Sequence, residues 1–379
     1  MSAGSVREVA GVFLRLGTIA FGGPAAHTAM MREELVRRRG WVSDQRFVDL
    51  MGATNFIPGP NSTELAIHLG HDRARWKGLV AAGVCFILPA AVMVTGLAWA
   101  YVTYGQTPAV KGVLYGVVPA VIGIIAHALF GLLRTVVKTV WLGALGVAAL
   151  VAYFLGVNEL VILAAGGLLA VAVHFGQRWR GSVSGFAIPL LWTDKLPVFA
   201  DPTTGQLAQL FATMLKIGAV LYGSGYVLLA FLRGDFVDRL HWISNEQLID
   251  AVSIGQVTPG PVFTTATFVG YLVAGLPGAF LATVAIFLPS FVFVGLLTKL
   301  TGWLRSRDWT AMLLDGVNAT ALALMAGVSF QLGRTAIIDP LTAAIAIVTV
   351  LLLWRTKLNS AWYIAGGAVI GVAHILLNS

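Results

Sequence analysis

The chain contains itself twice. Leu14-Arg15-Leu16-Gly17 and the Phe21-Gly22 after it return about 201 positions later as Leu215-Lys216-Ile217-Gly218 and Tyr222-Gly223. In the same register Pro58-Gly59-Pro60 returns as Pro259-Gly260-Pro261, and Trp41, Ser43 and Asp49 pair with Trp242, Ser244 and Asp250. After a one-residue gap, Gly70, Gly78, Pro89 and Gly116 pair with Gly270, Gly278, Pro289 and Gly316. A doubled apolar unit whose Gly and Pro breaks fall at matching places is the pattern of secondary transporters.

Composition narrows the class further. The 379 residues are 58% hydrophobic and 11% charged, with a mean hydropathy of +0.83. A soluble domain carries about 25% charged residues, so the chain reads as an all-α polytopic membrane protein. The net charge of +8 sits in short loops between apolar runs. That is where topology is encoded, which argues against a nucleic-acid partner and for the lipid bilayer. Cys85 is the only cysteine, so disulfides within the chain and cysteine-built metal sites are excluded. Arg7, Glu8 and Arg15 interrupt the N-terminal apolar stretch, which does not have the layout of a signal peptide.

Apolar runs of near 20 residues predict ten spans, at about 8–29, 78–103, 112–132, 139–156, 159–176, 208–231, 277–298, 311–332, 340–354 and 361–377. The halves run over 1–176 and 207–379, joined by a polar linker at 177–206. The segments 43–71 and 244–272 are more polar, with Pro-Gly-Pro at their centres. Arg32, Arg37, Arg38, Arg39 and Arg46 precede the first, and Arg73, Arg75 and Lys77 follow it. Basic flanks on both sides predict that the segment enters and leaves at the cytoplasmic face; the second, with balanced or uncharged flanks, does so outside. Each half then has five spans, an odd number, which inverts the second half. With the N-terminus outside, eighteen Lys/Arg lie inside and five outside.

The broken segments hold the candidate binding residues. Pro58-Gly59-Pro60 cannot continue a helix, and irregular backbone at membrane depth persists only when buried in protein or lining a wet cavity. Asn61, Ser62 and Thr63 follow as caps of a new half-helix whose free N–H groups attract anions. Pro259, Gly260, Pro261, Thr264 and Thr265 offer similar chemistry in the second half. The alternative is a kink that serves packing alone. Gly22 and Gly23, ahead of Pro24, match Gly223 and Ser224; they read either as a second pair of breaks or as small-residue packing. Arg15 and Lys216 are matched cations inside spans, which either attract an anion or snorkel. Glu64 has threonines at its place in the second half. It is a candidate coupling residue, but a pairing with Arg15 or His27 is the favoured reading. His27 and His68 are proton carriers or structural groups, and Trp41 and Trp242 are interfacial anchors. No metal-ligand cluster, P-loop or cofactor motif is present, which leaves a gradient or the membrane potential as the driving force.

The chain resembles the chromate ion transporter family in its long, two-domain form. The resemblance rests on Phe21-Gly22-Gly23-Pro24 with His27, on Trp41, Phe47, Pro58-Gly59-Pro60, Gly70, Gly78 and Pro89, and on their second-half partners. It implies chromate efflux across a bacterial cytoplasmic membrane, resistance to chromate, and halves of opposite orientation. Tyr222 and Ser224 stand where the first half has Phe21 and Gly23, so the half-sites are not equal. Sulfate shares the charge and shape of chromate and is the alternative substrate, carried by a permease or exchanger. A channel and a membrane-embedded enzyme rank lower, the latter for want of clustered acids, histidines or ligands. A homodimer remains open. The combined expectation is an oxyanion held near the midplane between half-helix N-termini from both repeats.

Overall fold

A computed structural model describes residues 5–21, 23–105, 107–178, 205–222, 227–305, 308–356 and 358–378. Gly22, Gly223, Ser224 and most of the expected linker lie outside the described residues. Among these residues the fold is entirely helical, with fourteen α-helices. The first half holds α1 (Val6–Ile19), α2 (Gly23–Met31) with a π-helical turn Arg32–Arg38, α3 (Asp44–Thr54), α4 (Asn61–Tyr104), α5 (Pro108–Val136), α6 (Val140–Phe154) and α7 (Glu159–Arg178). The second repeats the order: α8 (Gln206–Val220), α9 (Leu228–Leu232) with a π-helical turn Arg233–Arg239, α10 (Asn245–Val257), a 3-10 turn Val262–Thr264, α11 (Thr265–Arg305), α12 (Asp308–Ala336), α13 (Pro340–Arg355) and α14 (Ser360–Asn378). Five helical stretches are long and apolar enough to cross a bilayer: Asn61–Tyr104, Pro108–Val136, Val262–Thr298, Thr310–Ala336 and Ser360–Leu377. The chain is a multi-pass membrane protein.

Local sequence sets the helix starts. Ser43 and Ser244 occupy matched N-caps and accept from the backbone N–H of Arg46 and Gln247. Pro108 and Pro340 open α5 and α13, where a missing N–H costs nothing.

The long helices α4 and α11 each fold back on themselves. Ala74 (φ −140°, ψ 28°) and Arg75 (φ 55°, ψ −147°) reverse α4, and Ala274 with Gly275 (φ 60°, ψ −147°) reverse α11 in the same way. Gly70 and Gly78 meet across the first reversal, as Gly270 and Gly278 do across the second; a Cβ on either partner would overlap the other's carbonyl. Eight residues of straight helix would hold them about 12 Å apart. The repeated glycines are therefore hairpin contacts. The limb 61–73 runs back toward the end from which α3 came, and the limb from 75 onward makes the long crossing.

The expected spans at 8–29 and 208–231 are not single helices. Helix α1 ends at Ile19 and α8 at Val220, short of those bounds, and in the first half the second limb returns to where the first began. Glu8, at the start of α1, accepts from Trp41 Nε1 at 3.2 Å and pairs with Arg73 at 3.1 Å. Arg39 and Arg73 both lie over the Trp41 ring, at 6.0 and 5.1 Å. The start of α1 therefore sits at the same end as Arg39 and Arg73. This corrects the expected N-terminus on the opposite side and moves Arg7 to the basic face. Apolar length marked the stretch as a span, but length does not record a reversal of direction.

The halves interlock. Helix α1 packs on α4, α8 packs on α11, and α4 packs on α11 across the molecule. Helix α5 packs on α13 and α14, while α12 packs on α6 and α7. Gly116 abuts the Gly367 carbonyl, and Gly316, its repeat partner, abuts Gly166; small residues let such helices approach closely. Val80, Val84, Leu88 and Val92 on α4 are exposed, as are Phe280, Val284, Leu288 and Val292 on α11. Matched apolar faces turned outward suit contact with lipid tails.

Candidate oxyanion site

The two Pro-Gly-Pro elements are buried in protein, not turned to the exterior. Gly59 adopts φ 136° and Gly260 φ 98°, conformations that only glycine holds without strain. Between two prolines, the glycine carries the only backbone N–H. Gly59 N–H donates to the Leu221 carbonyl at 2.8 Å, and Gly260 N–H donates to the Ala20 carbonyl at 2.9 Å. Ala20 and Leu221 are repeat partners, at the broken ends of α1 and α8. Each half thus plugs its broken backbone into the helix break of the other, and the exchange is reciprocal.

The surroundings of the two glycines differ. Glu64 Oε1 lies against Gly59, and a Cβ on Gly59 would also come within 2.6 Å of Ser290 Oγ. Ser290 donates to Glu64 Oε1 at 3.4 Å, while Glu64 Oε2 is buried with no hydrogen-bond partner. Tyr222 lies within electrostatic range of this carboxyl. At the other glycine the residue facing Gly260 is Ala90, the partner of Ser290, and Thr265 stands at the place of Glu64. One half-site carries an acid where the other carries threonine.

The remaining expected donors are mostly committed. Asn61 Nδ2 donates to Asn55 Oδ1 at 2.9 Å. His27 Nε2 lies 3.0 Å from the Ala20 carbonyl, and Nδ1 lies 3.1 Å from Ser62 Oγ. A carbonyl only accepts, so Nε2–H donates to it, and in the neutral ring Nδ1 accepts a hydrogen bond from the Ser62 hydroxyl. His27 thus ties the break after α1 to the start of α4. Thr264 and Thr265 hydroxyls donate to the Pro261 and Val262 carbonyls at 2.8 Å each. Thr63 Oγ1 is buried and unpartnered. Thr63 N–H and Glu64 N–H both return to the Pro60 carbonyl, which leaves the N–H groups of Asn61 and Ser62 as the forward-facing ones of α4. Gly59 and Glu64 come together with Ser290; Gly23 and Pro24 open α2, whose His27 reaches Ser62 at the start of α4.

The structure places three more candidates and corrects the expected pairing of one. Lys216 Nζ is bound to Asp235 Oδ1 at 2.6 Å, and Arg239 reaches the same carboxylate at 3.0 Å. Arg15 is exposed and adds to the positive surroundings of Glu34, whose carboxyl the Arg39 hydrogen bond holds below its usual range. Glu34 and Asp235 are repeat partners, so each cation sits with an acid of its own return limb. The Lys216 charge is thus opposed by a carboxylate of its own half. Glu64 pairs with neither Arg15 nor His27; its hydrogen-bond partner is Ser290, on the other half. Sequence reasoning missed Ser290, Glu34 and Asp235. The acids were findable, since they fall in register beside matched cations; Ser290 was marked only by following Pro289.

A cavity of about 660 Å³ lies elsewhere, at the far end of α4. Tyr101, Lys111, Tyr115, Glu246 and Asp250 line it. Tyr101 OH donates to Asp250 Oδ2 at 2.8 Å, so the middle of α10 sits at the end of α4 remote from the turn at 74–75. Arg46 binds Asp72 at 2.7 and 3.0 Å, which instead joins the start of α3 to that turn.

The family model for chromate transporters matches the chain twice, over residues 7–171 and 208–372. A chromate transport protein of Cupriavidus metallidurans is 37% identical, over 99% of this chain and 94% of its own length. A probable chromate transport protein of Synechococcus elongatus is 32% identical over 97% of this chain and 95% of its own. A chromate transport protein of Pseudomonas aeruginosa is 30% identical over 95% of this chain and 90% of its own. No solved structure matches the chain.

Proposed function

The chain belongs to the chromate transporter family, and on that premise we propose that it exports chromate across the bacterial cytoplasmic membrane by alternating access between two inverted repeats. The halves are those matched by the family model, and the anion sits where the two Pro-Gly-Pro elements meet the opposite helix breaks. The observation that carries this reading is the reciprocal pair, Gly59 to Leu221 and Gly260 to Ala20. Exchange of equivalent groups implies a pseudo-twofold relation between halves. An axis lying in the membrane plane is favoured by the mouths of the two Pro-Gly-Pro segments. The first gathers Arg39, Arg46, Asp72 and Arg73 at one end of α4, and the second meets Tyr101 at the other. In this arrangement each half contributes four crossing helices and two segments that enter and leave on one face, in place of five spans.

Within the site, the Asn61 and Ser62 N–H groups and the unpartnered Thr63 hydroxyl receive the oxyanion. The dipole of the limb 61–73 favours negative charge there. Arg15 and Lys216 act on their own return limbs. An inside-negative potential favours exit by about 2.3 kcal/mol per charge per 100 mV, and the basic face supplies the anion from inside.

Chromate uptake into inside-out vesicles tests this, with sulfate as competitor. Saturable chromate uptake that sulfate does not displace is the expected result. Mutual competition with sulfate accumulation would instead identify a general oxyanion carrier, and no chromate uptake would refute the reading.

A further inference from the structure

Glu64 stands at the head of a column of titratable side chains. The limb 61–73 is helical, so residues four apart lie on one face, each about 6 Å further along. From the break toward the basic face that column reads Glu64, His68, Asp72. His68 is buried and its Nε2 has no hydrogen-bond partner. Asp72 is held by Arg46 at the mouth of the segment. The equivalent limb of the second half carries Thr265, Phe268, Val269 and Leu272, which cannot titrate. The column therefore belongs to one half-site only, the one where the carboxyl rests on Gly59.

Around Glu64 lie Ser290 from α11, Gly59 from the Pro-Gly-Pro element, Tyr222 within electrostatic range after α8 and, one turn along its own helix, His68. Among the described residues no lysine or arginine pairs with it. A buried carboxyl without a cation is most stable as the neutral acid. A dianion at the Asn61 and Ser62 N–H groups would lie within a turn of it, and two anionic groups at that range repel. Occupancy by proton and by oxyanion are therefore mutually reinforcing.

We propose that Glu64 is the proton site of this transporter, fed from the basic face through Asp72 and His68, and that each oxyanion crosses together with one proton. The proton enters at the Asp72 carboxylate, passes through the His68 ring and ends on Glu64, whose carboxylate becomes the acid. When the site opens to the other face and the dianion leaves, Glu64 gives the proton to water on that side. A dianion and one proton carry one net negative charge, so the potential still drives exit. The inference rests on the site being the chromate site proposed above.

The test is the reversal potential of chromate flux in proteoliposomes of the full chain, at equal alkaline pH on both sides, where the substrate is the dianion. A tenfold chromate gradient should be balanced by about 59 mV in the wild type, for one net charge, and by about 30 mV in Glu64→Gln, for two. His68→Leu should keep the wild-type value while slowing flux. A wild-type value of about 30 mV overturns the proposal, and it does so whether or not the glutamine variant is active. A value near 59 mV retained in Glu64→Gln also overturns it, since the proton would then ride elsewhere. Absence of chromate flux in the wild type overturns the substrate assignment beneath it, which the first two failures leave standing.

Discussion

Gly59 shows how much one position can carry. Its φ of 136° is closed to other residues, its N–H holds the opposite half, and its missing side chain leaves room for Glu64 and Ser290. Gly59→Ala adds a methyl where the Glu64 carboxyl sits, on a backbone strained by about 1–3 kcal/mol. Chromate flux should fall by about tenfold or more, with the protein still present in the membrane; flux at the wild-type level would contradict the geometry. Lys216 makes a different prediction. Asp235 is only 8% exposed, so Lys216→Ala removes one of its two cations. Unfolding in detergent should become easier by about 1–3 kcal/mol, and Lys216→Met with Asp235→Leu together should recover most of the loss. A loss of transport with unchanged stability would instead return Lys216 to the anion path. The repeat register made these cations conspicuous in the sequence. Their partners went unread because Glu34 and Asp235 are an acid pair of different length in otherwise ordinary polar turns.

At the level of elements, the broken helices were legible because proline and glycine act through backbone chemistry that any context must respect. The hairpin turns were not. Arg75 looks like a surface charge, yet it adopts φ 55°, ψ −147°, where its repeat partner is Gly275. That backbone region belongs almost solely to glycine. Arg75→Gly should therefore raise the midpoint of thermal unfolding, by about 1 kcal/mol in stability, and Gly275→Arg should lower it. A drop for Arg75→Gly would show that the side chain contributes more than its backbone costs. The first segment of each half was misjudged for a related reason. Residues 8–29 are apolar enough to span, and only the meeting of Glu8 with Trp41 and Arg73 reveals that the chain turns back at Ala20. Contacts between residues 33 and 65 positions apart leave no trace in a hydropathy profile.

For the molecule as a whole, duplication was the part of the architecture the sequence declared most openly, and the reciprocal packing of α5 with α14 and of α12 with α7 is its three-dimensional counterpart. Duplication alone does not say whether the copies are parallel or inverted; the placement of basic residues is the argument for inversion. With the proposed four crossing helices in each half, inversion also requires Arg178 and Gln206 to lie at opposite faces. The central claim is that the two mouths open on opposite sides of the membrane. Lys77 and Pro277 stand at equivalent points just past the two hairpin turns, and both are exposed. In a Cys85→Ala background that still transports chromate, Lys77→Cys and Pro277→Cys can each be challenged in intact cells with a membrane-impermeant thiol reagent. The account predicts that position 277 is labelled from outside while position 77 is labelled only after the cells are opened. Labelling of both from the same side would contradict it.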